Sequence, residues 1–286
     1  MPGWLRRHRG IIPYLFLVPG GLWLILFFVV PLITTASVAL QEGSLGTGYR
    51  LTFNFGIFVE AIQSWDTQLV RSLQFGLIVT LLTMLIGYPM AYTIAFRGGR
   101  YKNILLLFVI MPFFTSFIIR TISWKFILAD QGFILGTLKD IGILEPSFRL
   151  LATPVAVISG ITYNFLPFVV LPLYVALERI DPRLIEAAND LYASRLQAFL
   201  RVTLPLSIPG VFAASLLSFI PAVGDYLNAE LLGSRNETMI GNVIQRLYLV
   251  NNDYPQASAL SLILMLGILV SVILYRRILR GQELTV

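Results

Sequence analysis

From Leu151 to Ala176 this chain runs without one charged side chain, and comparable apolar runs recur along its length. A run of roughly 20 apolar residues is what a helix needs to cross a bilayer. No core could absorb so many such runs within 286 residues, so most soluble folds are excluded. Composition agrees: 57% of residues are hydrophobic and mean hydropathy is +0.80. Only 13% are charged, against about 25% in soluble domains. Lipid must therefore be the solvent for much of the surface, and the chain is expected to be an all-α membrane protein.

Six spans fit the pattern, at about 12–40, 69–96, 103–128, 151–176, 207–223 and 256–275. The first is too long for a signal-peptide core, and no small-residue cleavage site follows it. The connections alternate in charge. Most of the 21 basic residues lie in the N-terminal tail (Arg6, Arg7, Arg9), the Arg97-to-Lys102 loop, a polar island (Arg179, Arg183, Arg195, Arg201) and the C-terminal tail (Arg276, Arg277, Arg280). The other loops hold Arg50, Lys139, Arg149, Arg235 and Arg246. Basic loops stay cytoplasmic. Both termini are thus predicted to be cytoplasmic, with tails at 1–11 and 279–286 flanking a single transmembrane domain at 12–278.

Most acids fall on the predicted outer side: Glu42, Glu60, Asp66, Asp130, Asp140, Glu145, Asp225, Glu230, Glu237 and Asp253. Such a surface would draw a cationic solute, or it is a solvated surface that avoids basic residues; charge alone admits both. The net charge of +6 follows the topology rather than forming a patch, so no nucleic-acid partner is expected.

Several chemistries are excluded. There is no cysteine, hence no disulfide framework or thiolate metal site, and the one histidine, His8, lies in an arginine cluster. With no His-x-x-x-His and no paired carboxylates on a span, neither catalytic nor metal-ligating residues are expected. No Gly-x-x-x-x-Gly-Lys-Ser/Thr loop occurs, so ATP would have to be hydrolysed elsewhere. Pro31, Pro89, Pro112, Pro167, Pro172 and Pro221 lie in or at the ends of spans, and each frees a helical carbonyl. In lipid those carbonyls need partners; Thr115 and Ser116 follow Pro112, and Tyr163 and Asn164 precede Pro167.

The island between the fourth and fifth spans is polar where a short loop would suffice. Asp181-Pro182 is a helix start, with a capping acceptor before proline at the first helical position. Leu184, Ala187, Ala188 and Leu191 follow at helical spacing. After Tyr192-Ala193-Ser194 the pattern restarts with Leu196, Phe199, Leu200 and Leu204, and Pro205 with Pro209-Gly210 is expected to break the chain before it re-enters the membrane. The residues describe two short amphipathic helices that either dock on a partner or lie on lipid headgroups.

Their order goes further. Glu186-Ala187-Ala188, then Asp190-Leu191, Ala193-Ser194, and Leu204-Pro205 with Pro209, closely resemble the EAA loop of binding-protein-dependent ABC importer permeases. The resemblance implies a type I importer permease architecture with six transmembrane helices. It also implies a cytoplasmic coupling loop at 181–205 that docks on a separate ATPase. Glu186, Ala187 and Ala188 would begin the motif, Asp190, Leu191, Tyr192 and Ala193 would form its bend, and Arg195 to Thr203, including Phe199, its contacting helix before Leu204 and Pro205. Tyr192 stands where the family usually has glycine, a residue that permits a tight bend.

The resemblance covers nearly the whole chain. Gly87-Tyr88-Pro89-Met90-Ala91-Tyr92, Pro112-Phe113-Phe114-Thr115-Ser116 with Ile119-Arg120-Thr121-Ile122-Ser123-Trp124-Lys125, Gly224-Asp225-Tyr226, Leu231-Leu232-Gly233 and Met239-Ile240-Gly241-Asn242-Val243-Ile244 look like the first permease subunit of spermidine/putrescine-type importers. That implies a bacterial inner-membrane location, a second permease subunit, an ATPase homodimer carrying ATP and Mg, and an extracytoplasmic solute-binding protein; no cofactor is implied in this chain. Asp225 and Tyr226, with Tyr163 and Asn164, are candidate pathway residues: a carboxylate and a ring suit an ammonium group. Asp225 could equally cap a turn or pair with a base. Arg71, Arg120 and Lys125 are candidate outer-face residues that snorkel outward, pair with outer acids or contact the binding protein, and Glu230 and Asp253 are solvated loop residues or docking contacts. A stand-alone transporter or channel would show paired intramembrane charges or inverted repeats, and neither is evident; a permease for another small solute fits the same motifs.

Overall fold

The structure, a computed structural model, describes residues 12–283. Helix α1 (Ile12–Leu24), a π-helical turn (Ile25–Val29) and α2 (Val30–Ala39) follow one another directly. Pro31 stands at the start of α2, and the hydroxyls of Thr34 and Thr35 donate to the Val30 and Pro31 carbonyls at 2.9 Å. Strands β1 (Gln41–Ser44) and β2 (Gly48–Leu51) pair antiparallel, with Ser44 opposite Gly48. This hairpin is a small addition to an otherwise helical fold, and Gly43 permits it. At φ +140° a Cβ there would stand 2.0 Å from the Gly48 carbonyl oxygen.

Helix α3 (Gly56–Arg97) begins well before the expected span, with non-helical dihedrals at Trp65. Helices α4 (Lys102–Ile110), α5 (Phe117–Leu128) and α6 (Phe133–Asp140) occupy the expected third span and the loop beyond. That span is not one straight helix. The segments Gly99–Phe114 and Phe117–Asp140 meet at 93°, with Thr115 and Ser116 extended at ψ 149° and 136°. Pro112 removes a helical donor three residues earlier, and Thr115 Oγ1 and Arg120 Nη1 both donate to its carbonyl at 2.7 Å.

Helix α7 (Pro154–Glu178) starts at Thr153, whose hydroxyl accepts from the Ala156 N–H at 3.3 Å. Helices α8 (Pro182–Asp190), α9 (Arg195–Ala198), α10 (Leu204–Val223), α11 (Leu227–Leu232), α12 (Ile240–Leu249) and α13 (Tyr254–Glu283) complete the chain. Among the described residues, five helical stretches are long and apolar enough to cross a membrane, and there are six if the bent pair is one span.

Among the described residues two compact units form, one from 12–64 with Ile244–Met265 and one from Trp65–Val243 with 266–283. The boundary falls inside helices rather than at linkers, so no shift in composition marks it. In the first unit, Tyr49 donates its hydroxyl to the Asn252 carbonyl, and the rings of Tyr49 and Tyr248 lie 5.3 and 4.8 Å from that of Tyr254. In the second, α7 packs along α10. Lipid tails are as apolar as leucine, so close fit rather than burial holds such helices together. Gly210 lets α10 approach α7 so nearly that a Cβ would meet the Ala176 methyl at 2.3 Å; Gly87 fits α3 against Val169 in the same way. Val79, Val157, Ile161, Leu232 and Met239 form one buried cluster, and Ala91, Val169, Leu173, Leu177 and Ala214 another.

Candidate functional site: a projecting helix pair and a buried polar node

The 181–205 island folds as two helices joined at a capped bend. Asp181 Oδ1 accepts from the Arg183 N–H at 3.0 Å, and Pro182 occupies the first helical position of α8. At the other end, the Tyr192 N–H bonds to the Asn189 carbonyl at 2.9 Å and the Ala193 N–H to the Ala188 carbonyl at 3.1 Å. This is the Schellman closure, whose turning residue adopts the left-handed conformation and is usually glycine. Here it is Tyr192, at φ +63°, with its side chain 98% exposed. The bend that the sequence leaves open is therefore the one a glycine would make. Helix α9 starts on a capping box: the Gln197 N–H bonds to Ser194 Oγ at 3.3 Å, and the Ser194 N–H to Gln197 Oε1 at 2.8 Å. Ser194-Arg195-Leu196-Gln197 carries that signature in the sequence.

The break expected at Pro205 and Pro209 is absent. Helix α9, a π-helical turn (Phe199–Thr203) and α10 run on as one helix from Arg195 to Val223. The π turn widens the backbone, the Leu204 N–H reaching five residues back to the Phe199 carbonyl, and this accommodates Pro205 without a stop. Phe199, expected on the contacting face, turns toward its own chain. Its ring meets the rings of Tyr88 and Tyr92 on α3 edge-on, at 5.7 and 6.0 Å. The Tyr88 and Ser207 hydroxyls bond at 2.8 Å beside it. Glu186, Ala187, Asp190, Leu191, Tyr192 and Arg195 are exposed; Ala188, Ala193, Leu204 and Pro205 are half-buried. At the base of the loop, Lys102 Nζ pairs with Glu178 at 2.8 Å.

The second polar region is closed. Asp225 stands two residues past the end of α10 and caps α11: Oδ1 accepts from the Asn228 N–H and Oδ2 from Asn228 Nδ2, both at 2.8 Å. Burial pushes its carboxyl up, to about 6, against the pull of the Asn228 bonds and the Leu227 N–H. Asn228 Oδ1 accepts from Asn164 Nδ2 at 3.1 Å and from Thr121 Oγ1 at 3.2 Å. One buried chain of hydrogen bonds thus ties α5, α7 and α11. Asn164 Oδ1 is buried there with no partner.

The four expected pathway residues do not converge. Asp225 and Asn164 share the node; Tyr226 offers its carbonyl to Asn242 Nδ2 at 2.8 Å and leaves its ring half-exposed. Tyr163 instead packs against Trp124 at 5.4 Å and lines a cavity of about 580 Å³ with Pro89, Met90, Phe108, Pro112 and Pro167. Most of the expected outer contacts are bonded within the chain. Arg120, 8% exposed, is held by the Pro112 carbonyl, because the break in the span leaves that oxygen without its i+4 helical donor. Arg71 Nη1 donates to the Thr238 carbonyl at 3.0 Å, and Glu230 Oε2 accepts from Asn242 Nδ2 at 3.0 Å. Asp253 Oδ1 caps α13 through the Gln256 N–H at 3.1 Å, and Lys125 is exposed. The residues that organise both regions, Asn228, Thr121, Ser207 and the Tyr88–Tyr92 pair, are not among the expected site residues. Asn228, a strong polar group between Leu227 and Ala229, is a visible signal; the ring contacts leave none.

Residues 83–283 match the family described as binding-protein-dependent transport system inner membrane component. The spermidine/putrescine transport system permease protein PotB of Haemophilus influenzae is 38% identical over 243 residues, covering 84% of this chain and 84% of that one. PotB of Escherichia coli K12 is 33% identical over 253 residues, covering 87% and 92%. In fold, the chain resembles one from a bacterial ABC transporter involved in import of the acidic polysaccharide alginate, with TM-score 0.72, 23% identity, and coverage of 97% of this chain and 98% of that one.

Proposed function

Since the chain belongs to the binding-protein-dependent transport system inner membrane components, we propose that it forms half of the pathway of an ATP-driven importer for polyamines and couples to its ATPase through the 181–205 loop. The observation that carries the coupling role is the continuous helix from Arg195 to Val223, anchored at its base by Phe199 between Tyr88 and Tyr92. A push on α9 is delivered to α10, and hence to α7, with no flexible joint between. The partners in this reading are a second permease subunit, an ATPase homodimer that holds ATP and Mg, and an extracytoplasmic solute-binding protein. Both termini and the loop face the cytoplasm, as the arginine distribution argues.

The polyamine assignment is supported by the likeness to PotB over most of the chain. In this conformation Asp225 is engaged by Asn228, so a passing ammonium would meet the carboxylate only after α11 shifts. Copurification of the assembled complex, followed by measurement of the solutes its binding protein retains, tests the substrate. Retention of sugars or anions in place of spermidine or putrescine would remove the polyamine assignment and leave the importer. For the coupling role, Glu186→Lys is expected to abolish ATP-dependent uptake while the chain still inserts; undiminished uptake would refute it.

A further inference from the structure

Tyr192 occupies a backbone position that disfavours it. The left-handed conformation is unfavourable for an L-residue other than glycine, and residues held in it cluster at functional sites. Nothing among the described residues requires the side chain there: the ring is 98% exposed. Leu191 beside it is 82% exposed. The helix ends on both sides are nonetheless firmly capped, by Asp181 before α8 and by the Ser194–Gln197 box before α9. The capped backbone therefore directs the Tyr192 side chain outward from the bend.

We propose that Tyr192 is the anchor of the coupling loop, its ring filling an apolar socket on the ATPase subunit and setting which ATPase the permease accepts. The inference rests on the docking role proposed for the loop and adds the residue that fixes its affinity. Charge favours a protein socket over a lipid surface. Exposed Asp181, Glu186 and Asp190 balance exposed Arg183, Arg195 and Arg201. A helix that lies on anionic headgroups carries a basic polar face instead. Anchors of this kind are typically Tyr, Trp or Arg seated in a desolvated pocket.

The test uses the purified importer complex, with the amount of ATPase subunit retained through graded salt and detergent washes as readout. Tyr192→Gly is expected to reduce retention on the order of 10-fold or more, although the bend itself favours glycine. Tyr192→Phe is expected to keep it. Thermal unfolding of each variant chain checks that the fold is intact, and Glu186→Lys serves as the control for loop docking. If Glu186→Lys releases the ATPase while Tyr192→Gly does not, the docking role stands and the anchor is overturned. If neither releases it, the docking role falls and the anchor with it. A photoreactive phenylalanine at position 192 should crosslink to the ATPase; crosslinking to lipid or to a second copy of this chain would also overturn the proposal.

Discussion

The 181–205 loop and the node around Asn228 are both polar islands in an apolar chain, yet their side chains are used in opposite ways. In the node, Asp225, Asn228, Asn164 and Thr121 are buried and bonded to one another. In the loop, capping satisfies the backbone, while Glu186, Asp190, Tyr192 and Arg195 are left to solvent. Buried polar groups are costly unless paired, so a closed node stabilises the chain that contains it. Exposed groups on a rigid frame contribute almost nothing to that chain, and their value lies in what they meet. The two regions should therefore separate stability from coupling under mutation.

The sharpest break comes at Asn228. Asn228→Ala removes the Nδ2 donor to Asp225 Oδ2 and the Oδ1 acceptor shared by Asn164 and Thr121, leaving one oxygen of the buried carboxyl and the Asn164 amide short of a partner, while the backbone N–H at 228 still reaches Asp225 Oδ1. The expected loss is about 3 kcal/mol in unfolding of the detergent-solubilised protein. Glu186→Ala should change stability by less than about 0.5 kcal/mol and still depress ATP-dependent uptake. Equal destabilisation by the two would erase the contrast.

This contrast also marks what the sequence makes legible. The apolar runs predict the spans because bilayer thickness leaves few alternatives, and the EAA-like order points to the loop because the motif is long and local. Tyr192 is identifiable as the odd residue at the bend, but its dihedral follows only once the Schellman closure is seen. The Pro205 break is misread because proline usually ends a helix, and the π turn that absorbs it depends on the Phe199 carbonyl finding a donor five residues on. Arg120 reads as an outer contact until the extended residues at Thr115 and Ser116 turn the chain, so that Arg120 reaches the Pro112 carbonyl. Likewise Asn164 and Tyr163 are neighbours in sequence that a helix sends in different directions, one to the node and one to the cavity.

A smaller effect probes the joint between the loop and the bundle. Phe199→Ala withdraws the ring from Tyr88 and Tyr92, which at a half-buried site should cost about 2 kcal/mol, less than at a fully buried one. Uptake should fall while the ATPase subunit stays bound, because the contact surface is unchanged and only its link to α3 is lost. Loss of binding and uptake together would mean that Phe199 shapes the contact surface itself. Tyr88→Phe is the finer version. It deletes the hydroxyl bonded to Ser207 at 2.8 Å and keeps the ring, for an expected loss of about 1 kcal/mol and nearly normal uptake.

The smallest effect is expected at the ion pair where the loop leaves the bundle. Lys102 and Glu178 meet at 2.8 Å, but both side chains remain substantially in solvent, at 29% and 40% exposure. Such pairs typically contribute about 0.2–1 kcal/mol, weakened further by salt. Lys102→Ala should therefore shift unfolding by about 0.5 kcal/mol or less, and the shift should vanish in high salt. Uptake should persist, since the ring contacts of Phe199 hold the loop without the pair. If Lys102→Ala instead abolished uptake as fully as Glu186→Lys, the loop would be steered by charge at its base. The rigid helix from Arg195 to Val223 would then no longer suffice as the route from ATPase to bundle.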